Sequence, residues 1–146
     1  MKSRIFVKAL DERRILEAIR EAESRSRGEI RVHVAEGEID DPKAAAQADF
    51  ERLGMTKTRE RNGVLILVAP KSQAFAVVGD QGIDELCHEG FWLALVEGLG
   101  EEFHAGRFTE GLVAVVRRVG DELVRHFPRR PGEIDENELP DVISRG

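Results

Sequence analysis

Hydrophobic positions return at helical spacing early in the chain. After Asp11, the residues Ile15, Leu16, Ile19 and Ala22 share one face while Glu and Arg fill the rest, which predicts a helix capped at Asp11 and running to about Arg25. Phe6 and Val7, before it, fit either an edge strand or a lead into that helix. Past Gly28 the period changes to two: Ile30, Val32 and Val34 alternate with Glu29, Arg31 and His33, predicting a strand over 29–34 with one polar face over part of its length. Asp41 followed by Pro42 is a cap and a first-turn proline, and starts a second helix through Ala44–Ala46 to Leu53. After Asn62–Gly63 the run Val64–Ala69 is apolar at every position, the pattern of a strand covered on both faces and hence central in its sheet. Residues 70–73 are short enough for a hairpin, and Ala74–Gly79 returns.

The remainder is helical. Trp92, Leu95, Val96, Leu99 and Phe103 follow one apolar stripe, and Phe108, Leu112, Val115, Val116, Val119 and Leu123 follow another ending near Phe127, with Gly106 between them. The element order is α-β-α-β-β-α-α. It predicts an α/β fold, a three-layer α/β/α sandwich whose small mixed sheet (a parallel crossover plus a hairpin) is flanked by helices. After residue 127 the character changes: three of the five prolines fall in 128–146, with acids and arginines between them. The expectation is therefore a folded domain over 1–127 and a flexible C-terminal tail over 128–146 that could dock through Ile134, Leu139 or Val142.

Composition narrows the function classes. The chain has 146 residues, 41% of them hydrophobic and 34% charged, enough for one well-cored domain. Twenty-eight acids against 22 Lys and Arg give a net charge of −6. With that charge, no Tyr and one Trp, neither an electrostatic field nor a stacking platform for nucleic acid is expected. The apolar run at Val64–Pro70 is far short of the ~20 residues a membrane helix needs, and the N-terminus has no signal-peptide run. A single cysteine, Cys87, suits a reducing compartment. The expected location is cytoplasmic.

The predicted topology also places polar groups. If Ala69 pairs with Ala74 across the hairpin, Gly63 lies opposite Asp80, and the start of the parallel first strand, Glu29, belongs at the same sheet edge. Asp84 follows Asp80 by four residues, and Arg59 and Arg61 enter from the preceding loop. Glu29, Asn62, Asp80 and Asp84 form a set of hard oxygen donors suited to a divalent cation, Ca²⁺ or Mg²⁺. The same acids can equally serve as turn, cap and ion-pair residues. Other groupings point less far. Cys87 and His88 are adjacent and so diverge in direction, His33, His88, His104 and His126 lack zinc-like spacing, and Glu97, Glu101 and His104 read as a solvated helix face. The late arginines (Arg117, Arg118, Arg125, Arg129 and Arg130) suit either an acidic partner or an ordinary helix end.

The run Arg59–Ala69 with its Asn62–Gly63 pair, followed by Phe75–Ile83 with its glycine loop, resembles the TPM domain family. Gly28–Val32, Phe50–Gly54 and Phe108–Leu112 fit the same pattern. The resemblance covers roughly Asp11 to Phe127. It implies an α/β/α sandwich and, from what family members have been linked to, divalent-cation binding and, in plant thylakoids, acid phosphatase activity and photosystem repair. Carried over residue by residue, it points to Asp80 and Asp84. Unlike many members, this chain shows no export signal or membrane helix. Its loop reads Gly79–Asp80–Gln81–Gly82–Ile83–Asp84, where membrane-bound relatives more often carry an aromatic before the second glycine and a glutamate after it.

Two functions are expected from this. The first is a non-catalytic interaction or regulatory module that binds a divalent cation through Asp80, Asp84 and Glu29, with Asn62, Arg59 and Arg61 in support, and engages a protein partner, with 137–141 as a candidate contact segment. The alternative is a metal-dependent phosphatase acting on phosphomonoesters, in which Arg59 or Arg61 would neutralise the phosphate.

Overall fold

The computed structural model describes residues 1–129 and 143–146. Strands β1 (Glu29–Val34), β2 (Gly63–Ala69), β3 (Ala74–Gly79) and β4 (Ile143–Arg145) form one open sheet in the order β3-β2-β1-β4. β1 and β2 are parallel, with Glu29 opposite Gly63 and Val34 opposite Val68. β2 and β3 form the antiparallel hairpin in the expected register, Ala69 on Ala74 and Val64 on Gly79. The turn between them is a single 3-10 turn over Pro70–Ser72, ended by Gln73 in the left-handed region at φ 51°.

Six helices complete the described residues: α1 (Ser3–Ala9), α2 (Glu12–Arg25), α3 (Pro42–Arg52), α4 (Gln81–Asp84), α5 (Glu89–His104) and α6 (Phe108–His126). The caps read from sequence are in place, since Asp11 accepts from Arg14 N and Asp41 from Ala44 N. Phe6 and Val7 lie in a helix of their own. The Phe6 ring is buried in an aromatic group with Phe103 and Phe108, at centroid distances of 5.8 and 5.1 Å. One face of the sheet, built from Ile30, Val32, Val34, Val64, Ile66 and Val68, packs under α1, α2, α5 and α6. The opposite face, with Leu65, Leu67, Ala69, Ala76 and Val78, packs under α3 through Ala46 and Phe50. All seven residues of β2 are buried, so it is the covered central strand its composition requires.

Two features of β1 go beyond what periodicity predicts. Its polar face is not solvated: Glu29, Arg31 and His33 are all buried. In the parallel register Arg31 and His33 lie beside Leu65 and Leu67, on the face α3 covers. Periodicity reveals that two faces differ but not what lies over each. β1 also has a neighbour on its other side: the end of the segment expected as a tail, Ile143–Arg145, pairs with it in parallel along Val32–Val34. The docking sites expected at Ile134, Leu139 and Val142 lie outside the described residues, as does most of that segment. Among the described residues no helix is long and apolar enough to cross a membrane.

β4 is held by His33. The fully buried ring places Nδ1 2.8 Å from Ser144 Oγ and Nε2 3.3 Å from the Gly146 carbonyl oxygen. Burial holds the imidazole pKa below its ordinary value, against the raising effects of Asp49, 3.9 Å away, and the Gly146 carbonyl; Arg52 and Arg31 add to the lowering. A pKa lower in the docked state than in the solvated one makes docking strongest above the solvated value of about 6.5 and weaker as pH falls below it. Hydrogen-exchange protection of Ser144–Gly146 is therefore expected to fall between pH 7 and 5, ahead of protection in β2, and the His33→Gln variant should lose that pH dependence.

Candidate functional site

The register brings three chain segments to one sheet edge. Glu29 opens β1 beside Gly63, Asn62 directly precedes β2, and Asp80 directly follows β3, where its backbone N–H donates to the Gly63 carbonyl at 2.9 Å. Asp80 is buried and fully engaged: Oδ1 accepts from Gln81 N at 2.8 Å, capping α4. Arg61 meets the same carboxylate with both arms of its guanidinium, Nε donating to Oδ2 at 2.6 Å and Nη2 to Oδ1 at 2.9 Å. This bidentate geometry is the strong form of the Arg–carboxylate pair.

Backbone geometry sets the pair. Arg61 sits in the left-handed region at φ 51°, a conformation that costs a non-glycine residue strain. Its carbonyl accepts from Gly82 N at 2.7 Å. The approach is so close that a Cβ on Gly82 would fall 2.0 Å from the Glu60 oxygen and 2.5 Å from the Arg61 oxygen. A glycine is therefore required there. Neighbouring contacts fix the loop: Asn62 N donates to Thr58 Oγ1 and Asn62 Nδ2 to the Arg27 carbonyl, while Arg27 spans both carboxylate oxygens of Glu60 at 2.9 and 3.0 Å. Asn62 is fully buried, and its Oδ1 meets no hydrogen-bond donor among the described residues. The Trp92 ring covers Gly79, where a Cβ would come 2.6 Å from Cη2.

The structure thus places Glu29, Asn62, Asp80 and Arg61 at one edge, as the register predicts, with Arg59 exposed in the same loop. It does not gather Glu29, Asp80 and Asp84 into one three-ligand group among the described residues. Glu29 and Asp80 flank β2, and strands about 4.8 Å apart leave roughly 10 Å between their backbones. Asp84 is exposed at the far end of the one-turn helix that Asp80 caps.

A different set does converge. Cys87 (in the α4–α5 turn), Glu122 and His126 (one turn apart on α6) each bring a ligand atom within 4.8 Å of the others. The Cys87 thiol donates to Glu122 Oε2 at 3.7 Å, and His126 Nε2 lies 3.1 Å from the same oxygen. Burial first, and then the Glu122 carboxylate, push the thiol pKa up to about 11. It is protonated at neutral pH and unsuited to nucleophilic catalysis in this state. Sequence spacing missed this group because its first two members are 35 positions apart; the available signal was Glu122 and His126 at i, i+4 on one helix.

A family model described as TPM domain matches residues 5–122. Among solved structures, the BA42 protein from the psychrophilic bacterium Bizionia argentinensis superposes with a TM-score of 0.83 at 38% identity, over 92% of each chain. The N-terminal domain of the cg2496 protein from Corynebacterium glutamicum shares the fold, with a TM-score of 0.57 at 15% identity over 75% of this chain and 69% of that one. Among curated proteins nothing matches.

The Gly82→Ala variant is expected to lose about 1–3 kcal/mol of unfolding free energy, because backbone rather than a flexible side chain blocks the new methyl group. Urea unfolding measures it; an unchanged midpoint would mean the 60–61 carbonyls yield freely.

Proposed function

The chain belongs to the TPM domain family, and from that premise we propose that it is a non-catalytic, cation-responsive interaction module in which a divalent ion, Ca²⁺ or Mg²⁺, competes with Arg61 for Asp80. The observation that carries this reading is the bidentate Arg61–Asp80 pair at the edge where three chain segments meet. Asp80 itself and the other acids and amide along this edge (Asp84, Glu29 and Asn62) offer hard oxygens, which suit these ions and not softer metals, although Glu29 and Asp84 stand apart from Asp80. A resident guanidinium holds the carboxylate in place until a cation replaces it. Replacement would free the Arg61 side chain, remove its hold on a strained backbone and alter the exposed face at Arg59–Arg61 that a protein partner would meet.

Such a site binds weakly, since the ion must displace an existing charge-assisted pair. Arg61 also bears on the phosphatase alternative. That reading needs a guanidinium for the phosphoryl oxygens; without an ion Arg61 is held by Asp80, and Arg59 is exposed in the same loop.

An amide NMR titration of the metal-stripped protein with Ca²⁺ and then Mg²⁺ tests the reading. The expected result is saturable millimolar shifts centred on Glu29, Arg59–Asn62 and Gly79–Glu85, accompanied by a change in Trp92 fluorescence and lost in Asp80→Asn/Asp84→Asn. A flat titration at these residues, with the variant spectra intact elsewhere, would make the acids purely structural.

A further inference from the structure

We propose that Cys87, Glu122 and His126 form a second metal site, of a different chemical class, that takes a borderline-soft divalent transition ion such as Zn²⁺. The three side chains present one sulfur, one carboxylate oxygen and one imidazole nitrogen, the mixed donor set such ions select and that Ca²⁺ and Mg²⁺ do not. Their spacing fits. Zinc bonds of about 2.0–2.1 Å to N or O and 2.3 Å to S make the edges of a tetrahedron about 3.3–3.6 Å long. Here Sγ to Oε2 is 3.7 Å and Nε2 to Oε2 is 3.1 Å, with Sγ and a ring nitrogen of His126 within 4.8 Å of each other. Little movement is needed to place an ion against all three.

A Glu and a His one turn apart on a helix are by themselves an ordinary polar pair. What distinguishes this set is the thiol delivered from a separate element onto the same carboxylate oxygen, so that the Cys87 proton and the His126 Nε2 face both point at Glu122 Oε2. The other carboxylate oxygen, Oε1, lies 3.9 Å from Arg125 Nη1, an outer contact that orients the group and leaves Oε2 toward the cluster. All three residues are partly buried and still reached by solvent. Binding would replace the thiol proton, which leaves to solvent, and needs the imidazole nitrogen that faces the ion to carry no proton. Three protein ligands leave the fourth position to water or an external ligand. The ion would tie the α4–α5 turn to the last turns of α6.

The test is an optical titration of the reduced, metal-stripped full chain with Co²⁺ in thiol-free buffer. Saturation at one equivalent is expected, with a thiolate-to-cobalt charge-transfer band and the visible absorption of a four-coordinate ion, both removed by added Zn²⁺. Cys87→Ser should abolish the charge-transfer band. His126→Gln and Glu122→Gln, both at partly buried positions of α6, should each weaken binding by at least about 10–100-fold. Amide spectra of each variant report whether the fold is kept. The proposal is overturned if the wild-type protein shows no band at millimolar Co²⁺, or if the band survives at unchanged affinity in folded His126→Gln and Glu122→Gln, since a lone thiol is then the only ligand. The outcome is independent of the Asp80 reading, which concerns other residues and another class of ion.

Discussion

Everything at the site depends on a central strand with nowhere to slide. The seven residues of β2 are buried on both faces, so a one-residue slip against either neighbour would carry every side chain of the shifted strand to the wrong layer. That constraint fixes Glu29 beside Gly63 and Gly79 beside Val64, and with them the meeting of three chain segments at one sheet edge. Arg61 then closes the edge on Asp80. The left-handed backbone at Arg61 and the bare backbone approach of Gly82 belong to the same closure: relaxing one would move the others.

The elements with strong periodicity were legible in the amino-acid sequence. Val64–Ala69 could only be a covered strand, the hairpin length set its pairing with Ala74–Gly79, and the Asp41–Pro42 and Asp11 signals located two helices. The burial of the polar face of β1 has a physical reason. Arg31 and His33 are polar, yet they lie on the sheet face that α3 packs against, and His33 finds its partners in Ser144 and Gly146 rather than in solvent. β4 could not be seen in advance. Three residues in a stretch rich in proline and acids carry no periodicity, and their pairing rests on a histidine more than a hundred positions away.

The site was half legible for the same reason. Register arguments locate backbones, so they brought Glu29, Asn62 and Asp80 to one edge. They do not say how side-chain charges pair once there. Arg61 and Asp80 chose each other with two hydrogen bonds, a choice that depends on a backbone torsion at Arg61 no spacing rule encodes. Cys87, Glu122 and His126 show the reverse case: unremarkable spacing in the chain, convergence in the fold.

The central claim is that Arg61 and a divalent cation compete for one carboxylate. A double-mutant cycle of Arg61→Gln and Asp80→Asn on unfolding free energy, run in chelator and again in millimolar Ca²⁺, tests it most directly. The account predicts a coupling of about 1.5–3 kcal/mol in chelator, the range for hydrogen bonds to charged groups, that shrinks when Ca²⁺ is present. A coupling of the same size in both conditions would contradict it, leaving the pair as a structural clasp that no cation contests.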